Sequence, residues 1–336
     1  MTTSIRNTKI VGRLAPSPSG EMHLGNAFTY VLAWCAARKL GGKVLFRMED
    51  IDERCKREDL KVQVIDDMRW LGLTWDGEIT YQSNRTHIYD EIFHEIAKKG
   101  LVYPCFCSRA DLHAASAPHK TDGTYVYSGK CKNLKSSEIA EIAKTKNPSY
   151  RIKVPDVAIS ITDEICGQYS QNLKTECGDF VIRRSDNVPA YQFAVSVDDY
   201  LQGINQIVRG NDLLSSTPRQ VFLRDVISFV TTSNDGYYAD SKRLDRAAQS
   251  LQFAHVPLLT DRSGRRLAKR DRDLTVKALR ESGVCAKNII GYFAYILKFI
   301  DTPEQMSLEE LLKMFALDKI ENRNIVADCG NILSFI

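Results

Sequence analysis

The sequence has no uninterrupted apolar run near the ~18 residues that a membrane-spanning helix needs. Its most apolar stretch, Ile289 to Ile300, is short and broken by Lys298, so no membrane partner is expected. The opening residues, MTTSIRNTKI, hold no apolar segment of the kind a secretory signal carries, and a cytoplasmic location is the expectation. Charge of one sign is also scarce: 46 Lys+Arg stand against 42 Asp+Glu, a net of +4. That excess permits a nucleic-acid partner without arguing for one. The first glycine turn is neither GxGxxG nor GxxxxGK[ST], which excludes the dinucleotide fingerprint and the P-loop. Internal repeats and low-complexity tracts are absent. What remains is ordinary globular material. The 336 residues are 43% hydrophobic and 26% charged, which excludes general disorder and suits about two domains. Nine cysteines without an export signal point to reduced thiols, some of them metal ligands, rather than to a disulfide framework.

Residues 10–50 read as one strand–helix–strand unit. Ile10 to Leu14 is a short apolar strand. The turn Ala15-Pro16-Ser17-Pro18-Ser19-Gly20 cannot extend it, because two prolines fix φ and remove donors. From about Met22 to Leu40, Leu24, Phe28, Val31, Leu32 and Cys35 recur at helical spacing, and Gly41-Gly42 ends the helix. Val44, Phe46 and Met48 then alternate in a second strand. This is the start of a parallel sheet with crossover helices. Helices are expected over 57–75 and 85–99. The texture changes around 101–150, which reads as an inserted module. Short strands return at 150–154 and 180–183, and Gln206 to Val208 leads into Gly210-Asn211-Asp212. A helix follows Thr217-Pro218. Residues 231–250 are polar and read as a surface connection, while 274–316 are helical in pattern.

Three groups of residues carry chemistry. His23-Leu24-Gly25-Asn26 falls at the start of the first helix, where free backbone N–H groups and the helix dipole suit phosphate. Read in isolation, a His there is more often a cap. Residues 261–273, DRSGRRLAKRDRD, hold six basic and three acidic side chains; an isolated run of this kind is usually a solvated loop. Cys105-Phe106-Cys107 and Cys131 offer three soft ligands suited to Zn²⁺, although two buried or surface thiols would look the same.

Together these groups resemble class I aminoacyl-tRNA synthetases. His23-Leu24-Gly25-Asn26 is similar to the first signature of that family, and Arg266-Leu267-Ala268-Lys269-Arg270 to the KLSKR form of the second. Gly12-Arg13-Leu14-Ala15-Pro16-Ser17-Pro18-Ser19-Gly20 and Phe46-Arg47-Met48-Glu49-Asp50-Ile51-Asp52 resemble the glutamyl branch. So do Tyr191-Gln192-Phe193-Ala194, Val208-Arg209-Gly210, Ser216-Thr217-Pro218-Arg219-Gln220 and Ala254-His255-Val256-Pro257-Leu258. The likeness runs from about residue 9 to 285.

The resemblance implies an α/β fold: a Rossmann-like catalytic core, an inserted zinc-containing acceptor-type module and a small helical C-terminal region. The corresponding division is 1–100 and 186–260 for the two halves of the core, 101–185 for the insert, and 261–336 for the mobile loop and helices. L-Glutamate would be held by Arg13, Ala15, Ser17, Glu49, Tyr191 and Arg209. A pocket for it needs a cation for each carboxylate and an anion for the ammonium, since buried unpaired charge costs several kcal/mol. ATP, with Mg²⁺, would be bound by His23, Gly25, Asn26, Arg266 and Lys269. His23 and Lys269 would act on its phosphates through electrostatic stabilisation. Ala268 departs from the family's usual Ser, and Arg266 from its first Lys. The resemblance also implies one structural zinc ion on Cys105, Cys107, Cys131 and Tyr127, with His113, His119 and Tyr125 as alternative fourth ligands. Cys35, Cys55, Cys166, Cys177, Cys285 and Cys329 are read as structural.

Only 66 residues follow Arg270, too few for the helical anticodon-binding domains of a full glutamyl enzyme. The expectation is a monomeric member of the branch lacking them. Such an enzyme activates glutamate with ATP without tRNA and esterifies the queuosine base at the wobble position of tRNA-Asp. A shortened enzyme charging tRNA-Glu and a non-catalytic tRNA-binding module are the alternatives.

Overall fold

A computed structural model describes residues 9–108, 111, 126–233, 237–261, 263–265, 267 and 274–327. The chain opens with β1 (Val11–Leu14), α1 (Leu24–Lys39) and β2 (Lys43–Met48). Strands β1 and β2 pair in parallel, as the strand–helix–strand reading predicts. Helix α1 is buried at Leu24, Ala27 and Phe28 and throughout Val31 to Ala37, while Gly25, Asn26, Thr29 and Tyr30 are only partly buried. The sheet covers one side. The other meets the C-terminal helices, with the Phe28 ring edge-on to Phe293 at 5.2 Å. Helix α2 (Glu58–Trp70) leads to β3 (Thr80–Tyr81), which extends the sheet beside β2. Helix α3 (Thr86–Lys98) follows.

An antiparallel sheet of three strands comes next. It consists of β4 (Val102–Cys105), β5 (Ser149–Ile152) and, further on, β8 (Phe180–Arg183). Helix α4 (Ser136–Ala143) lies in the β4–β5 connection. Strands β6 (Ala158–Asp163) and β7 (Gly167–Asn172), with the one-turn α5 (Leu173–Glu176), intervene before β8. The hairpin of β6 and β7 lies in the 101–185 segment, yet β6 joins the large sheet through Asp163 opposite Phe253.

The second half of the large sheet is built from α6 (Tyr191–Leu201), β9 (Gln206–Gly210), α7 (Thr217–Thr232), α8 (Ser241–Gln249) and β10 (Gln252–Val256). Strands β9 and β10 are parallel and in full register. Helix α8 departs from the surface connection expected for 231–250. Asp240 caps it by accepting from the Arg243 amide at 2.7 Å, and Leu244 and Ala248, one turn apart, are buried. Leu244, Ala247 and Ala248 stand at i, i+3 and i+4, a short helical stripe within an otherwise polar segment. The two halves meet where the Asn205 amide donates to the Val11 carbonyl (3.1 Å) and the Val11 amide to Asn205 Oδ1 (2.8 Å). The strand order is therefore β3-β2-β1, then β9-β10-β6-β7. The winding reverses between β1 and β9, and such a reversal opens a crevice at the carboxyl ends of the strands. The chain closes with β11 (Leu259–Thr260), α9 (Val276–Glu281), α10 (Ala286–Ile296), α11 (Leu308–Met314) and β12 (Ile325–Val326), which pairs with β11. Helices α9 to α11 lie within the helical stretch predicted over 274–316. No helix among the described residues is long and apolar enough to cross a membrane.

Candidate active site

The crevice at the reversal is a cavity of about 750 Å³ including its open mouth. Arg13 enters from the end of β1 and Arg209 from the end of β9, and both are buried. Arg13 Nη1 donates to the Val208 carbonyl across the seam at 3.2 Å. Glu49, just past β2, is buried in the same wall, where it faces Ala15, Tyr191, His23, Gly25 and Asn26. Tyr191 stands at the mouth, 45% exposed, at the start of α6. Ser17 is outside the wall, but its hydroxyl donates to Glu49 Oε2 at 3.3 Å. Eight predicted residues thus share the wall, and Ser17 touches it through Glu49.

The buried charges of the wall are two guanidiniums and one carboxylate. Burial pushes the Glu49 carboxyl up from its ordinary value, and Arg47 and Arg13 partly oppose that. Arg47 is fully buried behind it, with Nη2 donating to Glu49 Oε1 (3.3 Å) and Nη1 to Asp199 Oδ1 (2.7 Å). Asp199 Oδ1 also lies 3.5 Å from Arg13 Nε. Arg209 donates through Nε to His255 Nε2 (3.1 Å), through Nη1 to Gln220 (2.7 Å) and through Nη2 to Thr217 Oγ1 (2.8 Å). His255 in turn contacts Asp163. Arg47 and His255 stood in words resembling the glutamyl branch but were given no role, and Asp199 and Asp163 were not singled out. An Arg alternating inside an apolar strand was a usable signal for Arg47. A lone His in an apolar strand looks like a core residue, and the two aspartates have no local mark.

His23 caps α1. Its Nδ1 accepts from the Asn26 amide at 3.3 Å, and its backbone bridges to Thr275. Gly25 matters by its size, because a Cβ there would stand 3.1 Å from two ring atoms of His23. The ring therefore lies against the helix start, where backbone N–H groups converge. Arg266, Ala268, Lys269 and Arg270 lie outside the described residues. Leu267 and Thr275 bond residues of the wall: the Leu267 amide donates to the carbonyl of Leu259 at 3.0 Å, and Thr275 bridges His23.

The second cluster is in the antiparallel sheet. The Sγ atoms of Cys105, Cys107 and Cys131 all lie within 4.8 Å of one another, with Cys107 and Cys131 at 3.6 Å. Tyr127 Oη is 3.4 Å from Cys105 Sγ and 3.9 Å from Cys107 Sγ. Ligands ~2.3 Å from one tetrahedral zinc ion stand roughly 3.8 Å apart. The three thiols and Tyr127 thus gather at spacings compatible with one zinc shell. Arg151 backs it, with Nε donating to Cys105 Sγ at 3.2 Å and the guanidinium 3.8 Å from the Tyr127 ring centre. Burial raises the Cys105 thiol, yet the bonds from Tyr127 and Arg151 bring it down to about 7. Gly178, at φ +71°, allows the close approach of Tyr127, whose backbone a Cβ would meet at 2.7 Å. Of the alternative ligands, His113, His119 and Tyr125 lie outside the described residues.

A reversed parallel sheet with a charged crevice at its switch point is the arrangement of an α/β enzyme site. The sequence matches the catalytic-domain model of class I tRNA synthetases (E and Q) over residues 9–331, and the chain belongs to that family. It is a ligase of the aminoacyl-tRNA synthetase type. It is 43% identical over 302 residues to the glutamyl-Q tRNA(Asp) synthetase of Nitratidesulfovibrio vulgaris, covering 87% of each chain. Against the glutamyl-Q tRNA(Asp) synthetase of Symbiobacterium thermophilum it is 41% identical over 323 residues, covering 93% of this chain and 94% of that one. Among solved structures it resembles a glutamate tRNA ligase from Elizabethkingia meningosepticum in complex with its amino acid. There the TM-score is 0.77 at 26% identity, over 98% of this chain and 69% of the other.

Proposed function

We propose that this enzyme activates L-glutamate with ATP, without tRNA, and transfers it to the queuosine base at the wobble position of tRNA-Asp. The names of the relatives at 41–43% identity support the reaction. The observation that carries the substrate is the charge of the wall: two buried guanidiniums and one buried carboxylate around one cavity. Glutamate brings two carboxylates and one ammonium, the complementary set. In this reading Arg13 and Arg209 face the carboxylates and Glu49 the ammonium. Ala15, Ser17 and Tyr191 complete the pocket. A buried charged partner left unpaired by a neutral analogue costs enough to give strong selectivity.

ATP binds beside it, with His23, Gly25 and Asn26 at the helix start taking its phosphates. An α-carboxylate oxygen of glutamate attacks the α-phosphorus, and the bond to the pyrophosphate oxygen breaks. Mg²⁺ bound with ATP neutralises phosphate charge. Lys269 and Arg266 stabilise the charge that builds on the departing pyrophosphate. The queuosine hydroxyl then attacks the activated carbonyl and AMP leaves. Cys105, Cys107, Cys131 and Tyr127 would hold one zinc ion, which fixes the fold of the antiparallel sheet. The enzyme works as a cytoplasmic monomer in this reading.

ATP–pyrophosphate exchange dependent on glutamate and measured without tRNA is the direct test; no exchange at any glutamate concentration overturns the proposal. Lys269→Ala should abolish the exchange, and unchanged activity argues against the role given to that residue. Queuosine-containing tRNA-Asp stripped of its 3′-terminal adenosine should still accept glutamate. Charging confined to intact tRNA-Glu would favour a conventional glutamyl enzyme.

A further inference from the structure

Arg209 has five N–H donors. Among the described residues four are already engaged: Nε with His255, one Nη1 hydrogen with Gln220, and Nη2 with Thr217 and the Leu213 carbonyl. One Nη1 hydrogen is left in the cavity wall. The direction of that donor depends on the acceptor offered to Nε. His255 Nε2 accepts from Arg209 at 3.1 Å, so it carries no proton, and Thr217 Oγ1 is 3.0 Å from the same nitrogen. His255 Nδ1 lies 2.6 Å from Asp163 Oδ2. Asp163 Oδ1 accepts from the amides of Ile165 (3.0 Å) and Cys166 (2.8 Å), and Oδ2 from the His255 amide (3.0 Å). A carboxylate with that many donors is ionised and can only accept. Nδ1 must therefore carry the imidazole proton. Burial, joined by Arg209 and Arg13, lowers the proton affinity of the ring against the pull of Asp163, which keeps it neutral. The backbone supports the same arrangement, since His255 and Arg209 are register partners on adjacent parallel strands.

We infer that Asp163 and His255 form a positioning relay: the carboxylate locks the imidazole proton on Nδ1, and the bare Nε2 aims Arg209 at a carboxylate of the amino-acid substrate. No residue of the relay other than Arg209 reaches the cavity wall. The inference rests on the glutamate reading for the identity of the carboxylate, but the tautomer stands apart from it.

The test compares three variants in tRNA-free exchange and reads the His255 tautomer by ¹⁵N NMR of histidine-labelled protein. In Asp163→Asn, the carboxamide oxygen can still accept backbone amides, but its nitrogen donates to Nδ1. The proton then moves to Nε2, where it opposes the Arg209 Nε–H. The KM for glutamate should rise on the order of 10- to 100-fold, with the KM for ATP unchanged. His255→Leu should do the same. His255→Gln, whose amide oxygen can stand where Nε2 does, should restore most of the affinity and make Asp163→Asn nearly silent in the double variant. The spectra should show the Nδ1–H tautomer in the wild type and Nε2–H in Asp163→Asn. A wild type with Nε2–H or an imidazolium overturns the relay whatever the substrate. So does an Asp163→Asn variant with unchanged KM for glutamate, or one in which both KM values rise together. A wild type with the Nδ1–H tautomer but no glutamate-dependent exchange overturns the substrate assignment and leaves the tautomer lock established.

Discussion

Arg47 Nη1 donates to Asp199 Oδ1 at 2.7 Å, and neither side chain is exposed by more than 6%. The same oxygen lies 3.5 Å from Arg13 Nε. One carboxylate thus serves two guanidiniums, of which only Arg13 lines the cavity. Removing it leaves both cations in a low-dielectric site. Asp199→Ala is expected to cost about 3–5 kcal/mol, measured by urea unfolding, and to raise the KM for glutamate through Arg13. An effect below 1 kcal/mol would show that Gln202 and Glu49 suffice for Arg47.

Glu49→Gln keeps shape and removes charge. An ammonium bound by Glu49 then loses its counter-charge, and the KM for glutamate should rise at least about tenfold while that for ATP stays. Burial holds this carboxyl above the ordinary carboxylate range, so the acid limb of kcat/KM should also sit above that range and disappear in the variant. A limb unchanged in Glu49→Gln would assign it elsewhere.

The thiol cluster should carry about one equivalent of zinc in freshly purified protein, by elemental analysis. Cys105→Ser should lose it and lower the thermal midpoint, and a strong chelator should lower the wild-type midpoint but not that of the variant. Tyr127→Phe should weaken retention against the chelator. Metal-free fresh protein would refute the site.

Asp67 of α2 joins Arg280 of α9 at 3.0 Å, with its other oxygen buried and without a hydrogen-bond partner among the described residues. Burial raises this carboxyl to about 6, and Arg280 only partly opposes the rise. Between the ordinary carboxylate value near ~4 and the raised one, the folded state holds more protons than the unfolded chain. The contribution to stability is therefore greatest at low pH and falls as pH rises through that window. Asp67→Asn should match the wild type near pH 4 and exceed it above pH 6 by on the order of 2 kcal/mol. Equal denaturation curves at pH 7 would contradict this.

Much of the site was legible in local sequence. The Pro- and Gly-marked turn before His23 and the alternation through Met48 located β1, α1 and β2. The Cys-Phe-Cys spacing marked a thiol cluster that the sheet does assemble. Helix α8 carried a short helical stripe, Leu244, Ala247 and Ala248, that its polar remainder masked as a surface connection; only the fold shows Arg243 on Asp225 at 2.6 Å and over the Phe229 and Tyr237 rings. Strand β6 shows period-2 alternation at Ile159 and Ile161, but its place in the fold was hidden. Its burial alternates as a half-exposed strand would, yet Asp163 at its end belongs to the parallel sheet.

The amino-acid sequence by itself determined the helix start that holds His23, the small residue beside that ring, the closely spaced Cys105 and Cys107 and the charged types available to a pocket. These depend on residues within a turn or two of each other, where dihedral limits and short-range hydrogen bonds act. Tertiary structure alone decided that Arg13 bonds a carbonyl 195 positions away, that Asp199 bridges Arg13 and Arg47, and that Asp163 and His255 stand behind Arg209. Those pairings follow from the reversal of winding between β1 and β9. Strand order sets them, and no local pattern encodes which distant strand will be the neighbour.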